Sequence, residues 1–298
     1  RAVIKRLVAD GHSILAVVRK EADAATLKAA PVECLVAPGG FEDVETITTA
    51  AAGCDAVIDV AAHNFAAHTP FMLAMRKSLS PGKVLISTTG AFYYGDVPEA
   101  KEKPVSEDRP FGFIPQIKDA WNAFEASVLC ASEEGILSAL LRPGLIYGNG
   151  GSGHGGGPLG VMEKAVKDGV ARYIDNGRGG VTCNVHIDDL ADLYALVLNA
   201  LTSRTLPSGS LVNASPDYLS HKEYAEAVAV ACGGLPVQAL TPESAQAYIE
   251  PFRIYTGTIS CILDNSRAFS LGWHPWRPSL KWDLLEGPYK GLMPRSRM

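Results

Sequence analysis

From Gly11 to Leu141 the chain alternates short apolar runs with longer stretches of helical pattern, and this alternation limits the possible folds more than any other feature. Ser13 to Val18 (SILAVV) has the length and character of a buried strand, and Glu21 to Ala30 reads as a helix. Val32 to Val36 is the next strand, Glu42 to Ala52 a helix, and Asp55 to Val60 (DAVIDV) a strand. Thr69-Pro70 is expected to open a helix running to about Leu79, with proline at the first helical position, where its missing N–H is not needed. Lys83 to Ser87 (KVLIS) is a strand, Ile117 to Ser132 a helix, and Ile136 to Leu141 a strand. Strands that are apolar throughout are covered on both faces, and a strand–helix–strand succession joins parallel strands. The expected fold class is α/β, a doubly wound parallel sheet with helices on both faces.

Past Arg142 the rhythm changes. Gly148 to Gly157 (GNGGSGHGGG) is a glycine-rich loop, read either as a mobile cover over a substrate mouth or as a plain connection. It is not a P-loop, because no Gly-Lys-Ser/Thr follows. Helices are expected at about Leu159–Asp168, Ile187–Leu201 and His221–Cys232, separated by extended pieces such as Gly209–Asn213. The division is placed near residue 147, with 1–147 as the sheet domain and 148–298 as a smaller substrate-side region, across which an element is free to return.

At 298 residues with 47% hydrophobic and 20% charged, the chain can bury a large core and is not of disordered composition. A net charge of -5 without a basic cluster argues against nucleic acid or an anionic membrane surface as partner. No apolar run is long enough to span a membrane and no signal-peptide pattern opens the sequence, so a cytoplasmic protein is expected, and a homodimer is compatible with it. Cys34, Cys54, Cys130, Cys183, Cys232 and Cys261 form no CxxC pair and are expected to be reduced. His63, His68 and His154 have no metal-site spacing.

Four segments carry the chemistry. Residues 55–63 (DAVIDVAAH) are an apolar strand ending in Ala61 and Ala62, small residues that let a ligand approach the backbone or simply pack the strand end. Residues 86–96 (ISTTGAFYYGD) place hydroxyls just beyond a strand, where Thr89 can polarise a carbonyl or merely form a turn. Residues 141–148 (LRPGLIYG) close the last strand of the first half. Residues 185–194 (VHIDDLADLY) open a helix with acidic residues in its first turn, which favours the helix dipole and reads equally as capping alone.

In this order the four segments resemble the extended and atypical short-chain dehydrogenases, the NAD-dependent epimerase/dehydratase family, from Arg1 to about Trp276. The resemblance implies a Rossmann-type domain binding NAD(P), lined by Ala61, Ala62, Thr89, Pro143 and Leu145, and hydride chemistry on a small organic substrate. It also implies a strand and a Gly-x-x-Gly-x-x-Gly turn directly before the helix that starts at Arg1. The chain as written is then expected to lack a phosphate cradle and a central strand. The family's Tyr and Lys fall on Ile117 and Trp121, and no Tyr occurs between Gly95 and Ile146. Thr89 and Tyr94 are left as the candidate catalytic residues, with Tyr93 as a weaker stand-in. Arg19 and Lys20, just after the strand ending at Val18, suit the 2′-phosphate of NADP, whereas Glu21 would favour NAD. The alternative function is a non-catalytic NADP-binding sensor.

Overall fold

The computed structural model describes residues 1–27, 31–61, 64–112, 115–151, 157–249 and 251–292. In the first half the order is α1 (Ala2–Ala9), β1 (Ile14–Val18), α2 (Glu21–Leu27), β2 (Val32–Val36), α3 (Val44–Ala52), β3 (Ala56–Asp59), α4 (Phe65–Ser78), β4 (Val84–Thr88), α5 (Lys118–Leu129) and β5 (Leu137–Pro143). There follow β6 (Leu145–Tyr147), α6 (Pro158–Asp168), β7 (Ala171–Ile174), β8 (Val181–His186), α7 (Ile187–Thr202), β9 (Ser210–Ala214), β10 (Asp217–Ser220), α8 (His221–Ala231) and β11 (Val237–Leu240), then short helices.

The main sheet runs β3–β4–β5–β9, parallel throughout. Its side chains sort by period 2, as a pleated strand requires. Val84 and Ile86 of β4 and Ala139 and Leu141 of β5 pack with Leu7 of α1 and the apolar face of α7. Leu85 and Leu140, the alternate residues, pack on the opposite face against Ile47, Met72, Phe124 and Val128 of α3, α4 and α5. Both faces are therefore covered, which is why these runs carry no polar alternation. β9, from beyond the expected division, completes this sheet, and α7 covers it, so the later part of the chain supplies two elements to the first-half core.

β1 and β2 form a second parallel ladder of their own. Among the described residues β1 pairs only with β2 and β3 only with β4. Leu15 and Val17 of β1 and Val60 after β3 are exposed apolar residues. The remaining strands make two small sheets: β6–β8–β10, with β10 antiparallel, and β7–β11.

The structure corrects the expected start of α4. The helix begins at Phe65, where Asn64 caps it by accepting from the Ala67 N–H at 3.4 Å, and Pro70 lies inside. Proline there removes one backbone bond, but burial of Phe71, Met72 and Met75 outweighs that local loss. The Ile117–Ser132 helix is likewise shorter: its α-helical part ends at Leu129 and tightens into a 3₁₀ turn over Cys130–Glu134, closed by Gly135 at φ +77°.

Gly144 forms the corner between β5 and β6. A Cβ there would stand 2.4 Å from the Cys183 carbonyl oxygen and 2.7 Å from Ser215 Oγ. Backbone cannot yield as a side-chain tip can, so Gly144→Ala is expected to cost about 2–3 kcal/mol in urea unfolding. An unchanged midpoint would show that the corner is free to open.

Candidate functional site

Parallel α/β sheets bind ligands beyond the carboxyl ends of their strands. Here those ends are Val18–Lys20, Asp59–Ala61, Thr88–Gly90 and Pro143–Leu145.

At the β4 and β5 ends lies a buried polar network. Glu125 of α5 and Arg142 of β5 are 4% and 2% exposed. Arg142 Nε donates to Glu125 Oε1 at 3.0 Å, and its Nη2 donates to Oε2, so the pair is bidentate. Glu125 Oε1 also accepts from Thr89 Oγ1 at 2.7 Å and from Trp121 Nε1 at 3.1 Å. Arg142 Nη1 donates to the Tyr94 hydroxyl at 2.9 Å, and that hydroxyl donates to Asn213 Oδ1 at 2.7 Å. The guanidinium lies 3.5 Å from the Tyr93 ring centroid.

The structure thus places Thr89 at a strand end, half-buried, but gives its hydroxyl proton to Glu125. As a donor that polarises a carbonyl, Thr89 is therefore corrected. Tyr94 is corrected as an acid: it is 1% exposed, both of its hydroxyl's hydrogen bonds are spent inside the network, and burial pushes the phenol far above its ordinary range. Tyr93 is half-buried and donates to Asn122 Oδ1 at 3.2 Å. Ile117 and Trp121 hold the positions where the resemblance would bring Tyr and Lys, and Trp121 is buried among Phe65, Tyr93 and Phe111.

A second cluster lies under the β3 end. Asp59 Oδ1 accepts from the Ala61 N–H at 3.1 Å and Oδ2 from Ser87 Oγ at 2.8 Å. His68 Nε2 stands 3.3 Å from Asp59 Oδ2, close enough for an ion pair when protonated but not aligned as a hydrogen bond. Thr88 Oγ1 meets the Tyr194 hydroxyl of α7 and donates to the Asp59 carbonyl at 3.2 Å. The carboxylate therefore shapes the turn that carries Ala61. Ala62 and His63 lie outside the described residues.

At the cofactor end, Arg19 and Lys20 are exposed side by side, without an ion-pair partner among the described residues. The Arg19 stem lies over the β2–α3 turn, where a Cβ on Gly40 would stand 3.3 Å from Arg19 Cδ. Two free cations beside a two-glycine turn are a donor set that fits an anionic nucleotide. Pro143 is buried at the end of β5 and Leu145 half-buried in β6. These residues, with Ala61 and Thr89, share the carboxyl edge of the strands.

The glycine-rich stretch leads from Gly148 toward a third cluster; residues 152–156, including His154, lie outside the described residues. Gly148 has φ +115°, and a Cβ on it would stand 2.3 Å from His186 Nε2. His186, not an acidic residue, caps α7: its Nδ1 accepts from the Asp188 N–H at 3.1 Å. Asp189 instead accepts from the backbone N–H groups of Trp276 and Arg277, both at 3.2 Å. Asp283 Oδ2 is buried without a hydrogen-bond partner, 3.9 Å from His186 Nε2. Among the described residues no group of three or more His, Cys, Asp or Glu could hold a metal ion, and no helix is long and apolar enough to cross a membrane.

The fold and these strand ends define a class: the chain has the Rossmann-type α/β fold of NAD(P)-dependent epimerases and dehydratases. Residues 1–113 match the family described as NAD(P)H-binding. A Schizosaccharomyces pombe protein described as uncharacterised is 27% identical over 296 residues, 96% of this chain and 95% of its own. A human epimerase family protein solved with NADPH superposes with a TM-score of 0.69 at 20% identity, covering 96% of this chain and 94% of that one. UDP-glucose-4-epimerase of Stenotrophomonas maltophila, with bound NAD, gives 0.71 at 17% over 97% and 93%. A dTDP-glucose 4,6-dehydratase of Streptomyces venezuelae with NAD gives 0.73 at 14% over 98% and 93%.

Two substitutions test the site's energetics. Arg142→Met leaves Glu125 buried without its cation and is expected to cost about 3–5 kcal/mol in chemical unfolding; a loss below about 1 kcal/mol would mean that the network is dispensable. Burial raises the Asp283 carboxyl to about 6. The native state then holds this proton more tightly than the unfolded chain, so the group's contribution is full below its unfolded pKa of 3.8 and is lost as pH rises through about 6. Asp283→Asn is expected to stabilise the protein by about 2 kcal/mol at pH 8 and by little near pH 4. Equal effects at both pH values would contradict this assignment.

Proposed function

We propose that this protein binds NADP(H) in preference to NAD(H) and transfers hydride between it and a small organic substrate at the carboxyl ends of β3, β4 and β5. The observation that carries the reading is the half-buried Thr89 at the β4 end, its hydroxyl oriented by the Glu125–Arg142 pair. Such orientation is what a protein adds to a cofactor that carries the chemistry. Arg19 and Lys20 would hold the 2′-phosphate, Ala61 would admit the cofactor against the backbone, and Pro143 and Leu145 would border the nicotinamide. When bound, the nicotinamide supplies or accepts the hydride.

One observation favours a second reading, an NADP-binding sensor without turnover. Trp121 and Ile117 are apolar where the resemblance would bring a proton-transfer pair. Loss of NADPH absorbance over a panel of aldehydes, ketones and sugar nucleotides, beside direct NADPH binding, separates the two. Binding without any turnover supports the sensor.

A guanidinium meets a phosphate with two parallel charge-assisted bonds that a ribose hydroxyl does not offer. NADPH is therefore expected to bind at least about tenfold more tightly than NADH, a gap of about 1.4 kcal/mol. Arg19→Ala is expected to remove most of it by fluorescence titration. Equal affinities in the unmutated protein would end the NADP assignment.

A further inference from the structure

We infer that the substrate meets Thr89 with a hydrogen-bond donor carried on an uncharged, apolar or aromatic frame, so that the ligand class is an aromatic or apolar alcohol. This rests on the proposed location of the substrate at the β4 end and deepens it.

The first observation is the direction of one hydrogen bond. A threonine hydroxyl has one proton and two lone pairs. Thr89 spends the proton on Glu125 Oε1 at 2.7 Å. The carboxylate faces the Arg142 guanidinium through two bonds and takes a third from Trp121 Nε1, so it is an acceptor on every side. What Thr89 offers a ligand is a lone pair. A hydroxyl satisfies it; a carbonyl oxygen placed there would face another oxygen with no proton between them. A mismatch of this kind discriminates strongly, because it leaves a desolvated polar group unpaired.

The second observation is the wall beside Thr89. Trp121, whose indole shares the Glu125 oxygen, packs against Phe65 with ring centroids 4.6 Å apart and against Phe111 at 5.9 Å. Tyr93 joins them, 5.1 Å from Phe111, and Phe65, Tyr93 and Phe111 are only partly buried. Half-buried rings gathered at a strand end suit an apolar ligand face. The arginine beside Thr89 is already spent: Arg142 is buried and paired with Glu125 through two bonds. A nucleoside diphosphate would need such cations unspent.

The test is calorimetric binding of 1-phenylethanol, acetophenone and UDP-glucose to the whole protein. Each is measured without cofactor and with the form that cannot react: NADPH for the alcohol, NADP⁺ for the ketone. The alcohol is expected to bind at least tenfold more tightly than the ketone, and UDP-glucose more weakly than either. Thr89→Ser should keep the gap and Thr89→Val should close it to within about twofold. If Thr89→Val fails to fold, the ratio in the unmutated protein still decides. Acetophenone binding as tightly as the alcohol, UDP-glucose binding more tightly than both, or no alcohol binding at millimolar concentration would each overturn the inference. A separate NADPH titration keeps the two readings apart: loss of NADPH binding with the alcohol gap intact defeats only the cofactor assignment, and the reverse defeats only this one.

Discussion

The ion pair between Arg142 and Glu125 is the constraint around which the strand ends are arranged. Taking two charges out of water costs several kcal/mol per ion, even after relaxation. Their mutual attraction offsets that cost only if the geometry is bidentate and the remaining polar sites are filled, and here they are. Thr89 and Trp121 complete the carboxylate, while the Tyr94 hydroxyl and the Tyr93 ring face complete the guanidinium. Trp121 comes from α5, and Thr89, Tyr93 and Tyr94 from the segment after β4, while Arg142 itself stands on β5. The network extends through Tyr94 to Asn213 of β9, whose amide donates to the Val105 and Asp264 carbonyls. One buried charge therefore sets the position of α5 against the sheet, the rotamer of Thr89 and the approach of the C-terminal segment. Stability is not the best account of such a pair, since apolar replacements often do as well. Orientation is.

Neither half of this pair is read from the sequence, and the two halves show where sequence reasoning stops. Arg142 stands in a run that is otherwise apolar, Leu140-Leu141-Arg142-Pro143, and a cation inside a buried strand requires a buried acceptor. Glu125 shares the face of α5 that carries Trp121, Phe124 and Val128, and that face is buried. A lone glutamate on a helix reads as solvated, and only the packing of α5 on the sheet reveals otherwise. Thr89 is singled out among the hydroxyls at the end of β4, with a turn as the alternative. The direction of its hydrogen bond is not legible, because that depends on a partner on the next helix.

The sheet was legible for a different reason. β4 and β5 are covered on both faces, so their apolar runs have no other use. The short strands β6, β7, β10 and β11 are only partly covered and lie in small sheets, and their patterns merge with loop composition. At α4, the local rule that proline belongs in the first turn was overridden by the burial of Phe71, Met72 and Met75 and by a cap at Asn64. The α7 start was placed correctly on an incomplete reason: a histidine makes the cap, and Asp189 is used instead to hold the Trp276–Arg277 backbone.

That use of Asp189 makes α7 a strut between parts of the molecule that, among the described residues, no strand ladder joins. The β1–β2 ladder, which carries Arg19 and Lys20, is held to the main sheet by side chains: Leu7 and Ile14 enter the core beneath α7, and Arg6 pairs with Asp192 of that helix. Further along its N-terminal turns, Trp273 Nε1 donates to the Asp189 carbonyl at 2.8 Å, and Tyr194 reaches Thr88 at the β4 end. Packed side chains transmit displacement because the interior has little free volume. One path from the ladder that bears the two cations to Thr88 and, next to it, Thr89 runs through α7; a second runs from Ala37, just after β2, which is buried in one core with Leu85 of β4 and Leu140 of β5. Among the described residues the cation pair and the hydroxyl site are thereby joined by packed side chains rather than by a continuous sheet, and the seat of α1 on α7 lies on one of these paths.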